Sequence, residues 1–232
     1  WNATRFVLIN IESQKIDINN DKKTFGLTER WIISQLSKTL NATHEGIKTY
    51  RFDLASQALY EFVWNEYCDW YLEFSKSTLN DEEKSDEEKR GTLYTLVHIL
   101  ETSLRGLHPF IPFITEELWQ RVASILNKNS ETIMLESYPS ESEFEKDKKA
   151  DDETEWIKSF IMGVRKIRSE RDIPPGNELT VSTKGGTKQE SEWLNKNELL
   201  IKMLGKIEKI VMTKDEMSDA ALALAGEMTL LI

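Results

Sequence analysis

A single cysteine, Cys68, stands among 232 residues, which excludes an internal disulfide and fits a reducing compartment. Histidine is nearly as scarce. His44, His98 and His108 lie far apart and lack the short spacing of metal ligands, so no metal site is expected. No apolar run approaches the roughly 18 residues needed to span a bilayer. Positive charge is in deficit: 30 basic against 40 acidic residues leave a net charge of −10. That balance argues against a generic polyanion binder and leaves room only for a local basic patch. The chain opens at Trp1 and stops within the apolar run MTLLI, so a piece of a longer polypeptide is expected.

What is present is helical over the first 127 residues. WNATRFVLIN reads as a short amphipathic helix, followed by a polar connection through Asn20 and Lys23. Trp31, Ile32, Leu36, Leu40 and Ile47 then recur at helical spacing, with Thr28 as the expected N-cap. Asp53 is expected to cap a third helix running to about Leu79, and a fourth runs from about Gly91 to Leu107. Two prolines in HPFIPF break the pattern, and Pro112 suits the first turn of a new helix, with Glu116 and Glu117 as partners of its dipole. Long helices with short connections predict an antiparallel bundle over residues 1–127.

Residues 128–152 are rich in Ser, Glu, Lys and Asp and are expected to be a polar linker. Beyond them the character changes. Trp156, Phe160, Val164 and Ile167 mark another helix ended by IPPGN. Next come a strand in ELTVSTKG, a helix in SEWLNKNELLIKML, and strands in KIEKIVM and ALALAGEMTLLI. Residues 153–232 thus form a small α/β unit.

The stretch YEFVWNEYCDWYLEF, residues 60–74, packs seven aromatic residues into fifteen positions. On a wheel of about 100° per residue, most rings fill one broad apolar arc, which predicts that Trp64, Tyr67, Trp70 and Tyr71 are core. Cys68 falls on the same arc as a core thiol. Phe62 falls instead among Asn65, Glu66 and Asp69. It is either a helix contact, in line with Ala55 and Ala58, or a platform on which a base stacks while Asn65 and Asp69 read base edges. Arg51 and Phe52, at a helix entry, are further candidates for ligand contact. Arg165, Lys166, Arg168 and Arg171 fall within seven positions, and Lys184 and Lys188 flank the Gly185–Gly186 turn. Both groups are candidates for phosphate contact, although the four on the helix do not share one face.

WNATRFVLIN, LTERWIISQL, YRFDLASQALYEFVWNEYCDWYLEFSK and LHPFIPFITEELW resemble, in order and spacing, the anticodon-binding domain of bacterial-type valyl-tRNA synthetases. WIKSFIMGVRKIRSERDIPPGNELTV resembles the small stem-contact region that follows it in that family, ahead of a coiled-coil arm. The resemblance implies a mainly α fold, a class Ia anticodon-binding helix bundle followed by a small α/β unit. It implies valine tRNA as partner, a monomer in the cytoplasm, and no contact with DNA or membrane. Arg51, Phe52, Phe62, Asn65 and Asp69 would meet anticodon bases. Arg165, Lys166, Arg168, Arg171, Lys184 and Lys188 would hold phosphates. Neither HIGH nor KMSKS occurs, and KMLGK at 202–206 lacks the serine pair, so no catalytic residue and no cofactor are expected in this chain. ATP would belong to the catalytic domain of the parent enzyme. The equivalent domain of an isoleucyl or leucyl enzyme is the near alternative, and a helical protein-docking module without RNA binding the distant one.

Overall fold

Apolar spacing along the chain is realised as helix from the first residues. In the computed structural model, which describes residues 1–174, 176–213 and 221–232, the chain divides into a unit of Trp1–Ala150 and a unit of Asp151–Ile232. The first holds α1 (Asn2–Gln14), α2 (Leu27–Lys48), α3 (Phe52–Glu61), a π-helical stretch (Phe62–Tyr71), α4 (Leu72–Leu79), α5 (Asp86–Leu107) and α6 (Pro112–Val122). No helix among the described residues is long and apolar enough to cross a membrane.

α2 buries the expected stripe of Trp31, Ile32, Leu36 and Leu40. Its N-cap is Gly26, not Thr28, because the Glu29 carboxylate turns back and accepts the Gly26 N–H at 3.0 Å. The other carboxylate oxygen accepts the Thr92 hydroxyl at 2.9 Å and the Tyr71 hydroxyl at 3.3 Å, tying three elements at one buried point. Burial raises the Glu29 pKa against these hydrogen bonds. α2 and α3 approach closely at Gly46, where an added Cβ would lie 2.9 Å from the Ala55 amide nitrogen.

α5 starts in the acidic stretch, as the Ser85 hydroxyl accepts the Glu88 N–H and the Glu88 carboxylate accepts the Ser85 N–H. Such a capping box is worth about 1 kcal/mol. Pro112 does open α6, but Glu116 and Glu117 lie beyond its first turn. Glu116 instead accepts the Thr132 hydroxyl at 2.7 Å and the Ile133 N–H at 3.2 Å, and Glu117 pairs with Arg121.

Residues 128–147 are polar in composition yet held against the bundle. Buried Glu101 accepts from Arg105 Nε at 3.0 Å and Trp119 Nε1 at 2.9 Å, with Lys128 Nζ at 3.2 Å. Ile133 and Phe144 enter the core, and the His44 ring meets the Pro139 carbonyl oxygen at 3.0 Å while stacking on Tyr138. Composition alone reads this stretch as a solvated linker, while particular side chains in it bond the bundle, among them Thr132 to Glu116 and Tyr138 to the Gly106 carbonyl.

The second unit is built on α7 (Lys148–Glu170), β1 (Leu179–Gly185), α8 (Lys188–Lys196), α9 (Glu198–Gly205), β2 (Ile207–Met212), β3 (Leu222–Ala225) and β4 (Met228–Leu231). The strand order is β2-β1-β4-β3, with β1 and β2 parallel and the remaining pairs antiparallel. The IPPGN terminator follows α7 as expected, its Pro175 lying outside the described residues. α7 buries Trp156, Ile157, Phe160, Ile161, Val164 and Ile167. It presses on the sheet at Gly163, where a Cβ would lie 3.0 Å from Leu230 Cδ1 and 3.2 Å from Ala223 Cβ.

Candidate nucleic-acid interface

The corner between α2 and α3 presents Tyr50, Arg51 and Phe52 to solvent. Tyr50 adopts a left-handed backbone (φ 59°), which lets the chain reverse between the two helices. Phe52 packs its ring edge-on against Tyr50 with centroids 6.4 Å apart. Asp53 does not cap α3: Arg51 is the N-cap residue, and its guanidinium grips Asp53 through two bonds of 2.9 and 2.7 Å. This fork holds the Asp53 carboxyl below its usual range and leaves both side chains in water. Arg51 and Phe52 therefore stand where a ligand can reach them.

Phe62 does not. It is only 2% exposed, and the expectation that it offers a stacking platform is corrected here. The cause is the helix type. Hydrogen bonds closing over five residues widen the turn, so residues advance by roughly 80° instead of 100°. At that step Phe62, Tyr67, Trp70 and Tyr71 converge on one side, and all four are buried. The Tyr67 hydroxyl donates to the Leu96 carbonyl at 2.8 Å, fixing this face against α5.

The same widening sends Trp64 outward. Expected in the core, it is 57% exposed, and Tyr60, one turn before it, is 60% exposed. Their rings lie parallel within 6°, centroids 6.2 Å apart. Asn65 and Asp69 are exposed, as their assigned roles require. Cys68 is half-buried, and desolvation with the adjacent Asp69 charge pushes its thiol pKa up, which disfavours the thiolate. One sequence signal could have revealed this arrangement. Phe62, Tyr67 and Tyr71 are spaced by five and four residues, a longer period than an α-helix allows.

Among the basic candidates of the second unit, Arg165 and Lys166 are exposed on α7, and Arg171 is exposed in the turn just past its end. Arg168 is 8% exposed and is corrected from phosphate ligand to structural clamp. Its guanidinium donates to the carbonyls of Pro174, Gly205 and Lys206, gathering the end of α7 and the end of α9. About one turn beyond Val164, Arg168 falls on the face that carries Val164 and lies beside Ile167, so its neighbours are core residues.

Lys188 sits at the start of α8, fully in solvent beside Glu192, and Lys184 lies half-buried on β1 opposite Thr229. The Gly185–Gly186 turn between them does not cradle a phosphate through the α8 N-terminus. The buried Glu190 carboxylate already accepts the Thr187 N–H at 2.7 Å and, across the hairpin, the Glu227 N–H at 2.9 Å. An internal anion thus occupies the place a phosphate would take. Both glycines have positive φ, and a Cβ on Gly186 would crowd Met228.

No group of three or more metal-ligating side chains is found among the described residues. His108 Nδ1 meets the Thr115 hydroxyl at 2.8 Å, bridging the break between α5 and α6.

Residues 29–183 match the sequence model of a family described as the anticodon-binding domain of tRNA ligase. Over its whole length the chain is 41% identical to proteins named valine–tRNA ligase from the Lens, Paris and Philadelphia 1 strains of Legionella pneumophila. It covers 25% of each of these relatives, about a quarter of their length.

Proposed function

This chain belongs to the anticodon-binding domain family of tRNA ligases, and from that premise we propose that it recognises the anticodon arm of valine tRNA within a valine–tRNA ligase. The observation that carries this reading is the 41% identity to proteins of that name over all of the chain. In this reading the bundle faces unpaired bases and the α/β unit faces the ribose-phosphate chain. Phe52 stacks against a base at the α2–α3 corner, and Arg51 exchanges part of its Asp53 pairing for a base or phosphate. Asn65 offers an amide donor and acceptor, and Asp69 accepts from exocyclic amines. Acidic neighbours suit base edges and repel phosphates, so the backbone of the RNA lies away from this face. Arg165, Lys166, Arg171, Lys184 and Lys188 supply positive charge for phosphates.

Attachment of valine with ATP belongs, in this reading, to the part of the enzyme outside this chain, and the whole works as a cytoplasmic monomer. The test is a gel-shift titration of the chain with valine tRNA transcripts across salt concentrations, alongside transcripts altered only in the anticodon. We expect binding that weakens as salt rises and falls when the anticodon changes. Binding equal for isoleucine or leucine anticodons would move the chain to those enzymes. Absent or salt-insensitive binding to every tRNA would leave a protein-docking module and overturn the proposal.

A further inference from the structure

α3 ends one residue before the π-helical stretch begins, and this junction sets the direction of two large rings. Stepping back from Phe62 by two α-helical residues and forward by two π-helical ones brings Tyr60 and Trp64 to the same azimuth, roughly 160° from buried Phe62. In a continuous α-helix the two would diverge by about 40°. Their ring planes lie within 6° of parallel, with centroids 6.2 Å apart. Around them, Asp69 and Asn65 fall within roughly 80° of Trp64 on the same wheel, and all of these residues face solvent. Exposed stacked aromatics bordered by an amide and a carboxylate give a flat π surface beside groups that can pair with a base edge. A π-helix is uncommon, and where one occurs it often marks a functional site.

We propose that Tyr60 and Trp64 form a preformed stacking shelf for an unpaired RNA base, with Asn65 and Asp69 reading that base's edge. The role once assigned to Phe62 passes to Trp64. Because the two rings already support each other, little side-chain freedom is lost when a base adds to the stack. The carboxylates of Glu61 and Asp69 keep phosphates away, so the shelf selects the face and edge of a base over its backbone. The inference rests on the tRNA-binding reading above.

The test uses the full chain, a valine tRNA transcript, and versions of that transcript with 2-aminopurine placed in turn at each anticodon-loop position. With the unaltered protein, we expect one loop position whose fluorescence is quenched on binding. Trp64→Phe should keep both binding and quenching. Trp64→Leu should lose the quenching and weaken binding about tenfold, within the roughly 5- to 150-fold range of one lost stack. Binding without quenching at any loop position overturns the shelf, and so does unchanged binding by Trp64→Leu. In both cases the tRNA-binding reading survives. Failure of the unaltered protein to bind any tRNA overturns both.

Discussion

Phe62 and Trp64 are two positions apart and have exchanged the places that an α-helical period assigns them, so truncating each in turn tests the π geometry directly. Phe62 is 2% exposed, on the buried side of the π-helical stretch that also carries Tyr67 and Tyr71. Phe62→Ala removes a buried ring from a close-packed interior and leaves a cavity, which costs about 3–5 kcal/mol. For a unit of this size each kcal/mol moves the melting midpoint by about 2–4 °C, so a drop of roughly 6–20 °C is expected. Trp64 is 57% exposed and its packing partner is the equally exposed Tyr60. Trp64→Ala therefore forfeits little more than an aromatic pair, about 1 kcal/mol, or roughly 2–4 °C. Scanning calorimetry of the two variants beside the parent chain reads both numbers. An α-helical segment would invert them. If Trp64→Ala melted as low as Phe62→Ala, or Phe62→Ala melted with the parent chain, the π-helical account would be wrong.

Three other perturbations probe different parts of the molecule. Glu101→Ala leaves Arg105 and the Trp119 N–H without their shared buried acceptor, and a loss of about 3–5 kcal/mol in urea unfolding is expected; a loss under 1 kcal/mol would refute the network. Arg168→Ala should lower the stability of the second unit and leave the salt dependence of tRNA binding untouched, whereas Lys188→Ala should reduce the salt slope by about one with no change in melting; the opposite pattern would restore Arg168 as a phosphate ligand. Burial raises the Glu29 pKa above 4.5, so the folded state holds that proton more tightly than the unfolded chain. The contribution of Glu29 is fully present below pH 4.5 and is lost as pH rises through the raised value. Urea midpoints of the parent chain should therefore fall relative to Glu29→Gln as pH climbs from 4 to 7, and a pH-independent difference would refute the shift.

Much of the architecture is legible in the residue order. Trp31, Ile32, Leu36 and Leu40 lie at the positions their spacing assigns, and Pro112 starts the helix it suits. The strands of the second unit fall where β-branched and apolar residues alternate. Exposure of Arg51, Phe52, Asn65 and Asp69 follows from their polar or helix-entry settings. The caps are less legible. Glu29 and Glu190 turn carboxylates back onto preceding N–H groups, and at α2 this moves the cap from the Thr28 that sequence favours to Gly26, while at α3 the Arg51 guanidinium takes up the Asp53 carboxylate. Which acceptor wins depends on what else it can hold: Glu29 also takes Thr92 and Tyr71, and Glu190 also takes Glu227.

Composition and periodicity by themselves determined a helical bundle followed by a small α/β unit, because burying an apolar stripe admits few solutions at each period. The kinship to tRNA ligases lay instead in the particular residues of motifs such as WNEYCDWYLE and LHPFIPFITEELW. Tertiary structure alone decided which ring is hidden and which is offered. A turn widened by one residue changes every azimuth after it, and that turn is held by its neighbours, the Tyr67 hydroxyl bonding the Leu96 carbonyl of α5 and the Tyr71 hydroxyl the Glu29 carboxylate of α2. It likewise decided that Arg168 is a clamp, since a guanidinium binds whatever acceptors the fold brings near it, whether peptide carbonyls or phosphates.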